Sequence, residues 1–260
     1  MASLPAPGDE DIASYIEGRM PLPGGPCYQL RLLDGFSLEQ DGRPVHIPHS
    51  VRRLIAFLGV RGRRGRAEIA GTLWPDVPES RAQASLRTVL WRMHRLTPRP
   101  LVTGGESLSL ANSVGVDVRV LVASARHVLN EGEDAVPNGS PLPALTVMGE
   151  LLPGWYEDWV LFERERLRQL QMHALEAIAV RLTAERRFAE AIEAAMAAVR
   201  LEPLRESATR ALIAAHLAEN NVVEAVRWFE SFRDGLTSEL GVEPTADLER
   251  LIRSGIEGQA

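Results

Sequence analysis

Lysine is absent: all 29 cationic side chains among the 260 residues are arginine. A Walker A phosphate loop, a Schiff-base nucleophile and a catalytic ammonium group each require lysine, so those chemistries drop out first. Cysteine is almost absent as well. Cys27 alone can form no internal disulfide and has no thiol partner for a metal site, which points to a reducing, cytoplasmic setting. No stretch approaches the roughly 18 apolar residues of a membrane span. The N-terminus is acidic and proline-rich where a signal peptide is basic and then apolar. The six histidines, at 46, 49, 94, 127, 173 and 216, show no ligand spacing with Cys27 or with one another, so neither a metal nor a cofactor is expected.

The apolar content of 45% is enough for the cores of two ordinary domains. Charge divides along the chain. Residues 1–26 carry a net −3, residues 27–122 a net +6 and residues 123–260 a net −9. Within 50–99 there are 11 arginines against Glu68, Asp76 and Glu79, a basic patch inside an acidic protein. Such a patch attracts phosphate, and arginine's planar fork suits both phosphate and guanine. Codon bias in a GC-rich genome is the weightier account of the missing lysine.

Residues 1–26 hold five prolines and four glycines with little apolar periodicity and read as a flexible tail. Short apolar stretches at 28–33, 36–39 and 45–47, punctuated by Asp34-Gly35 and Asp41-Gly42, predict a small antiparallel sheet. Three helical patterns follow, over 50–60, 67–74 and 80–96, with Ser80 as the cap of the third and Thr97-Pro98 as its stop. Stretches 101–103 and 107–110 flank Gly104-Gly105-Glu106 as a hairpin. Sheet, three helices and hairpin in that order describe an α+β winged helix-turn-helix over 27–122.

The third helix is the one that enters a major groove in such a fold. At 100° per residue, Ala82, Leu86, Val89, Leu90, Met93 and Leu96 form its inward stripe. Arg81, Ala84, Thr88, Trp91, Arg92 and Arg95 lie opposite, with Arg87 on the flank toward solvent. Arginines can bond guanine edges or phosphates, while Ala84 and Thr88 are small enough for close approach and contact with a thymine methyl. A soluble surface is the plain alternative, but a large aromatic such as Trp91 seldom faces water without a reason. Further candidate contacts to the DNA backbone are Arg52, Arg53, Arg63, Arg64, Arg66 and Thr103, with a solvated loop as the equal alternative for the cluster at 61–66. The hairpin tip carries Glu106 with no arginine nearby, so a wing reaching into the minor groove is not expected.

Beyond residue 123 the chain becomes rich in alanine, leucine and glutamate, with helical patterns at 117–129, 158–185, 188–201, 206–219, 222–240 and 245–256. Residues 130–153 read mainly as a loop. Residues 188–192 align with 222–226 at an offset of 34, the period of tetratricopeptide repeats. An all-α, TPR-like domain over 123–258 follows, or a generic helical bundle. Glu163 with Arg166 and Glu165 with Arg168 read as ordinary surface pairs.

Several stretches together resemble the Streptomyces antibiotic regulatory protein family, which joins an OmpR-type winged helix to a bacterial transcriptional activation domain. They are Gly42-Arg43-Pro44-Val45, EIAGTLWPDVPESRAQASLRTVLWRMHRL over 68–96, Val116-Asp117, LLPGWYEDWV from Leu151, EPLRESATRALIAAHL from Glu202 and ELGVEPTADLERL from Glu239. The resemblance implies an activator of a secondary-metabolite gene cluster that binds promoter direct repeats near the −35 region as side-by-side protomers and recruits RNA polymerase holoenzyme. It places the loop Pro75, Asp76, Val77, Pro78 and Glu79 near polymerase, and implies a cytoplasmic, nucleoid-associated protein. The family's glycine-tyrosine at the wing is replaced around residues 105–108. An enzyme reading finds no nucleophile, base or metal constellation. The competing reading is an adaptor whose helical half binds a partner protein and whose winged half does not read DNA.

Overall fold

Two Asp-Gly pairs shape the first sheet. Asp34 and Asp41 take left-handed backbone conformations (φ 58° and 49°), and Gly35 and Gly42 follow at 136° and 76°. Tight hairpin turns demand positive φ, and aspartate and glycine tolerate it best. The computed structural model describes residues 27–130, 142–146 and 149–257. The expected N-terminal tail over 1–26 lies outside the described residues.

Around the two turns, β1 (Tyr28–Arg31), β2 (Ser37–Gln40) and β3 (Arg43–Pro44) form an antiparallel meander. The third strand was expected over 45–47, but the ladder stops at Pro44, which has no N–H to donate. Val45 N–H still reaches the Leu38 carbonyl at 2.8 Å. There follow α1 (His49–Arg61), β4 (Arg64–Gly65), α2 (Arg66–Leu73) and α3 (Glu79–Leu96), then β5 (Val102–Gly104), β6 (Ser107–Leu110), β7 (Val114–Val116) and α4 (Asp117–Asn130). Strand β7 pairs in parallel with β1, giving the order β3-β2-β1-β7, and β4 joins the hairpin in the order β4-β6-β5. The later helices are α5 (Leu142–Thr146), α6 (Asp158–Ala184), α7 (Phe188–Leu201), α8 (Glu206–Ala218), α9 (Val222–Leu240) and α10 (Ala246–Glu257). Helix α5 lies in a segment expected to be mainly loop. Among the described residues no helix is long and apolar enough to cross a membrane.

Two compact units result. The first takes in the described residues up to Val120 together with Gly149–Glu165, and the second takes the rest. The boundaries therefore fall inside α4 and α6, and Gly149–Glu165, expected within a continuous second domain, is part of the first unit.

In the first unit, α1 buries Val51, Leu54, Ile55, Phe57 and Leu58. It lies so close to the sheet that a Cβ on Gly59 would come within 3.0 Å of Leu32 and 3.2 Å of Leu30. Arg119 donates to the Leu58 and Gly59 carbonyls (3.0 and 3.1 Å) in the last turn of the helix, where Leu58 also accepts from the Gly62 N–H. The Asp117 carboxylate accepts from the Leu32, Leu33 and Val118 amides (2.7–3.1 Å). Burial nevertheless raises its pKa above the ordinary aspartate value.

Segment Gly149–Glu165 acts as a strap on this unit. Leu152 N–H bonds the Leu32 carbonyl at 2.8 Å, Asp34 N–H bonds that of Glu150 at 3.0 Å, and Arg164 donates to the Leu151, Leu152 and Trp155 carbonyls. The Trp159 ring meets Phe57 edge-on, centroids 5.3 Å apart. Arg53 grips Glu157 through two hydrogen bonds (2.9 and 2.7 Å), and Arg61 meets Glu163 at 2.8 Å. Glu163 is only 6% exposed, so it is no surface carboxylate, contrary to the expectation from helical spacing. Arg168 likewise engages Glu202, 34 residues away.

The second unit shows the 34-residue period in its backbone. Arg186 and Asn220 both take left-handed conformations (φ 61° and 66°). The amides that follow, of Arg187 and Asn221, close back onto the Leu182 and His216 carbonyls at 2.9 and 2.8 Å. The same chain reversal thus precedes α7 and α9. Helix α8 packs against both. Ala191, Ala194, Ala195, Ala197 and Ala198 are fully buried on α7, small enough for helices to approach closely. Ile213, Ala225, Phe232, Leu236, Leu248 and Ile252 form a core shared by α8, α9 and α10.

The ion pair of Arg53 and Glu157 yields a stability prediction. Burial pushes the Glu157 carboxyl up, but hydrogen bonds from Arg53 and Trp159 and the Arg53 charge outweigh it, so it stays below the usual glutamate value. A carboxylate held low stabilises the fold above the unfolded-state pKa, and that contribution fades as pH falls through the folded-state value. Glu157→Gln should cost on the order of 1–3 kcal/mol in urea unfolding at pH 7, between the values for exposed and buried pairs, with the gap to wild type narrowing in acid. Equal stability at pH 7 would show that this pair does not hold the strap.

Candidate nucleic-acid interface

Helix α3 starts where Pro78, in extended conformation, hands the chain to Glu79. Ser80, expected as the cap, is already inside the helix, and no side chain caps it. Glu79 in the first turn and His94 and Arg95 in the last complement the helix dipole. Ala82, Leu86, Val89, Leu90 and Met93 are buried as the angular pattern requires. Leu96 is not: it is 45% exposed, and Thr97 takes the buried place at the helix end with its hydroxyl on the Met93 carbonyl at 3.1 Å. Helix α3 packs on α2 and α1, so its buried stripe is fixed from two sides.

The opposite face is open. Arg81, Ala84, Arg87, Thr88, Trp91, Arg92 and Arg95 are all exposed. The guanidinium groups of Arg81, Arg87 and Arg92 meet no hydrogen-bond or ion-pair partner among the described residues. Trp91 is 60% exposed, and the Arg95 guanidinium lies 4.9 Å from its ring centroid. Thr88 donates its hydroxyl to the Ala84 carbonyl at 3.0 Å.

The remaining arginines divide into engaged and available. Arg53 is committed to Glu157 and also donates to the Leu73 carbonyl at 2.7 Å. Arg52 donates to the Ile47 carbonyl at 2.9 Å and lies over the Phe36 ring. Arg53 is thus held on two sides, whereas Arg52 has only its Nε hydrogen-bonded. Arg64 pairs with Glu68 at 3.0 Å. Arg63 and Arg66 are different, because β4 brings them to the wing. Arg63 Nε donates to Ser107 Oγ at 2.6 Å and Arg66 Nε to the Gly105 carbonyl at 2.5 Å, with the terminal nitrogens of both unpartnered among the described residues. The hairpin tip is thus flanked by two arginines that are 39 and 44 residues away from their wing partners in sequence. Sequence reading missed this because a strand of two residues has no periodicity to detect. Thr103 is exposed beside Ser109 on the hairpin, their hydroxyls 3.4 Å apart. Pro75, Asp76, Val77, Pro78 and Glu79 are exposed throughout. Among the described residues no group of three or more His, Cys, Asp or Glu side chains is placed to hold a metal ion.

An open basic face on a helix-turn-helix, ahead of a helical repeat, is the setting for the comparison with known proteins. Residues 140–254 match the family model described as "Bacterial transcriptional activator domain". Over those residues, less than half of its length, the chain is similar to this domain family. That match includes the strap, whose contacts lie in the first unit. The regulatory protein AfsR of Streptomyces coelicolor is 29% identical over 213 residues, covering 77% of this chain and 21% of the relative. AfsR of Streptomyces griseus is 27% identical over 245 residues, covering 85% and 23%. The chain spans less than a quarter of the length of these distant relatives. A solved structure of Mycobacterium tuberculosis EmbR, in complex with a low affinity phosphopeptide, matches at a TM-score of 0.68 and 20% identity, covering 90% of this chain and 66% of that one. The architecture, a winged-helix region followed by an all-helical activator domain, is that of EmbR.

Gly104 controls the wing. Its φ of 126° is unfavourable for side-chain-bearing residues, and a Cβ there would run into the Ser107 carbonyl oxygen. Gly104→Ala should cost about 1–3 kcal/mol and loosen the hairpin. Hydrogen exchange should then accelerate over 102–110 while α3 stays protected. Unchanged exchange there would show that the hairpin does not depend on this glycine.

Proposed function

We propose that this chain is a sequence-specific, DNA-binding transcriptional activator of the cytoplasm and nucleoid. The observation that carries the reading is the outer face of α3, where Arg81, Arg87 and Arg92 stand exposed without protein partners. Unneutralised guanidinium groups on a helix fixed from behind suit phosphate and guanine. Arg63 and Arg66 at the wing supply backbone contacts from a second element. Arg53, committed to Glu157, contributes least, and Arg52, Arg64 and Thr103 stand at the edge of the interface.

The activator domain and the likeness to AfsR support the rest of the proposal. The chain binds direct repeats near a promoter's −35 region as two side-by-side protomers, with half-sites about one helical turn apart, ~10–10.5 bp. Exposed loop residues Pro75 to Glu79 face RNA polymerase holoenzyme, and the regulated genes form a secondary-metabolite cluster.

The test is an anisotropy titration across a salt series, with the promoter next to the chain's own gene and a scrambled duplex as probes. Wild type should prefer the promoter, with affinity falling steeply as salt rises. Arg92→Ala combined with Arg95→Ala should abolish the preference and weaken the salt dependence. Equal weak binding to both duplexes, unchanged in the variant, would remove α3 as the reading helix and favour an adaptor.

A further inference from the structure

Ala84, Thr88 and Trp91 stand at i, i+4 and i+7 on α3, which sets them in one line down its exposed face. What the line presents outward is apolar. Ala84 has only its methyl. Thr88 uses its hydroxyl hydrogen inside the helix, on the Ala84 carbonyl at 3.0 Å, and its γ-methyl is the part left over. Trp91 offers an indole on which the Arg95 guanidinium rests, 4.9 Å from the ring centroid. Arg81, Arg87, Arg92 and Arg95 flank the line.

Phosphate binding does not require such a line, since phosphate oxygens are met by charged and hydrogen-bonding groups. Solubility does not produce it either, because an exposed apolar strip carries a cost. In the major groove the apolar feature at a base edge is the 5-methyl group of thymine.

We infer that the Ala84–Thr88–Trp91 line reads thymine methyl groups, so that each half-site carries at least one thymine whose 5-methyl packs against it. Trp91 and Thr88 are the specificity-determining residues. This inference rests on α3 entering the major groove and goes beyond it by naming the base.

Deoxyuridine supplies the test, because replacing thymine by deoxyuridine removes the methyl and keeps the base pair. The full chain is used to select duplexes from random-sequence DNA, and the tightest is remade with each thymine replaced singly. At one or two positions Kd should rise about fourfold, the worth of one buried methyl group. Thr88→Ser keeps the hydroxyl and loses the γ-methyl. In that variant and in Trp91→Ala, both checked for folding by thermal melts, the thymine preference at those positions should shrink toward unity. A selected duplex indifferent to every replacement, or a preference that both variants retain, overturns the inference and leaves α3 as the reading helix. Failure to enrich any sequence overturns the DNA-reading function and this inference together.

Discussion

Two hydrogen bonds between Arg53 and Glu157 join residues 104 positions apart and clamp the strap onto α1. Helix α1 packs on α3, and the same Arg53 reaches the Leu73 carbonyl at the end of α2. One guanidinium therefore ties together the strap, the first helix and the helix ahead of the turn. Removing either partner strands a half-buried charge, which costs more than the pair contributes when whole. Under the proposed function the α3 face needs this joint, because a groove-reading helix works only if its scaffold holds it to within a fraction of an ångström.

With lysine absent, the molecule sorts one cation type into two roles by partner. Arg53, Arg61, Arg119 and Arg164 are spent on carboxylates or on backbone carbonyls, and they hold elements together. Arg81, Arg87 and Arg92 are left free on one helix face. Five donors in a planar fork allow both uses, since the same geometry that grips a carboxylate or a pair of carbonyls also fits guanine or phosphate. Charge alone, a net +6 over 27–122, does not distinguish the two sets.

Local pattern made much of this legible from sequence. The inward stripe of α3, the outward set from Arg81 to Arg95, the bounds of α7 and α9 and the 34-residue offset all rest on periodicity within a few turns. The Asp-Gly turns were legible because few residues accept positive φ. What escaped was non-local or too short to show a period. The pairs of Arg53 with Glu157 and Arg61 with Glu163 span more than a hundred residues. The strap reads as loop and helix start, with nothing local to say that it belongs to the first unit. Strands β3 and β4 have two residues each, so neither carries an alternation. That Arg63 and Arg66 sit beside the wing was hidden for the same reason.

The central claim is that α3 reads base edges in the major groove through its arginine face. Dimethyl sulfate footprinting of the full chain on its tightest duplex tests this directly, because the reagent attacks guanine N7 in the major groove and adenine N3 in the minor groove. The account predicts guanine N7 protection within each half-site, lost when Arg92 and Arg95 are both replaced by alanine. Tight binding with every guanine still reactive and protection confined to adenine N3 would contradict it.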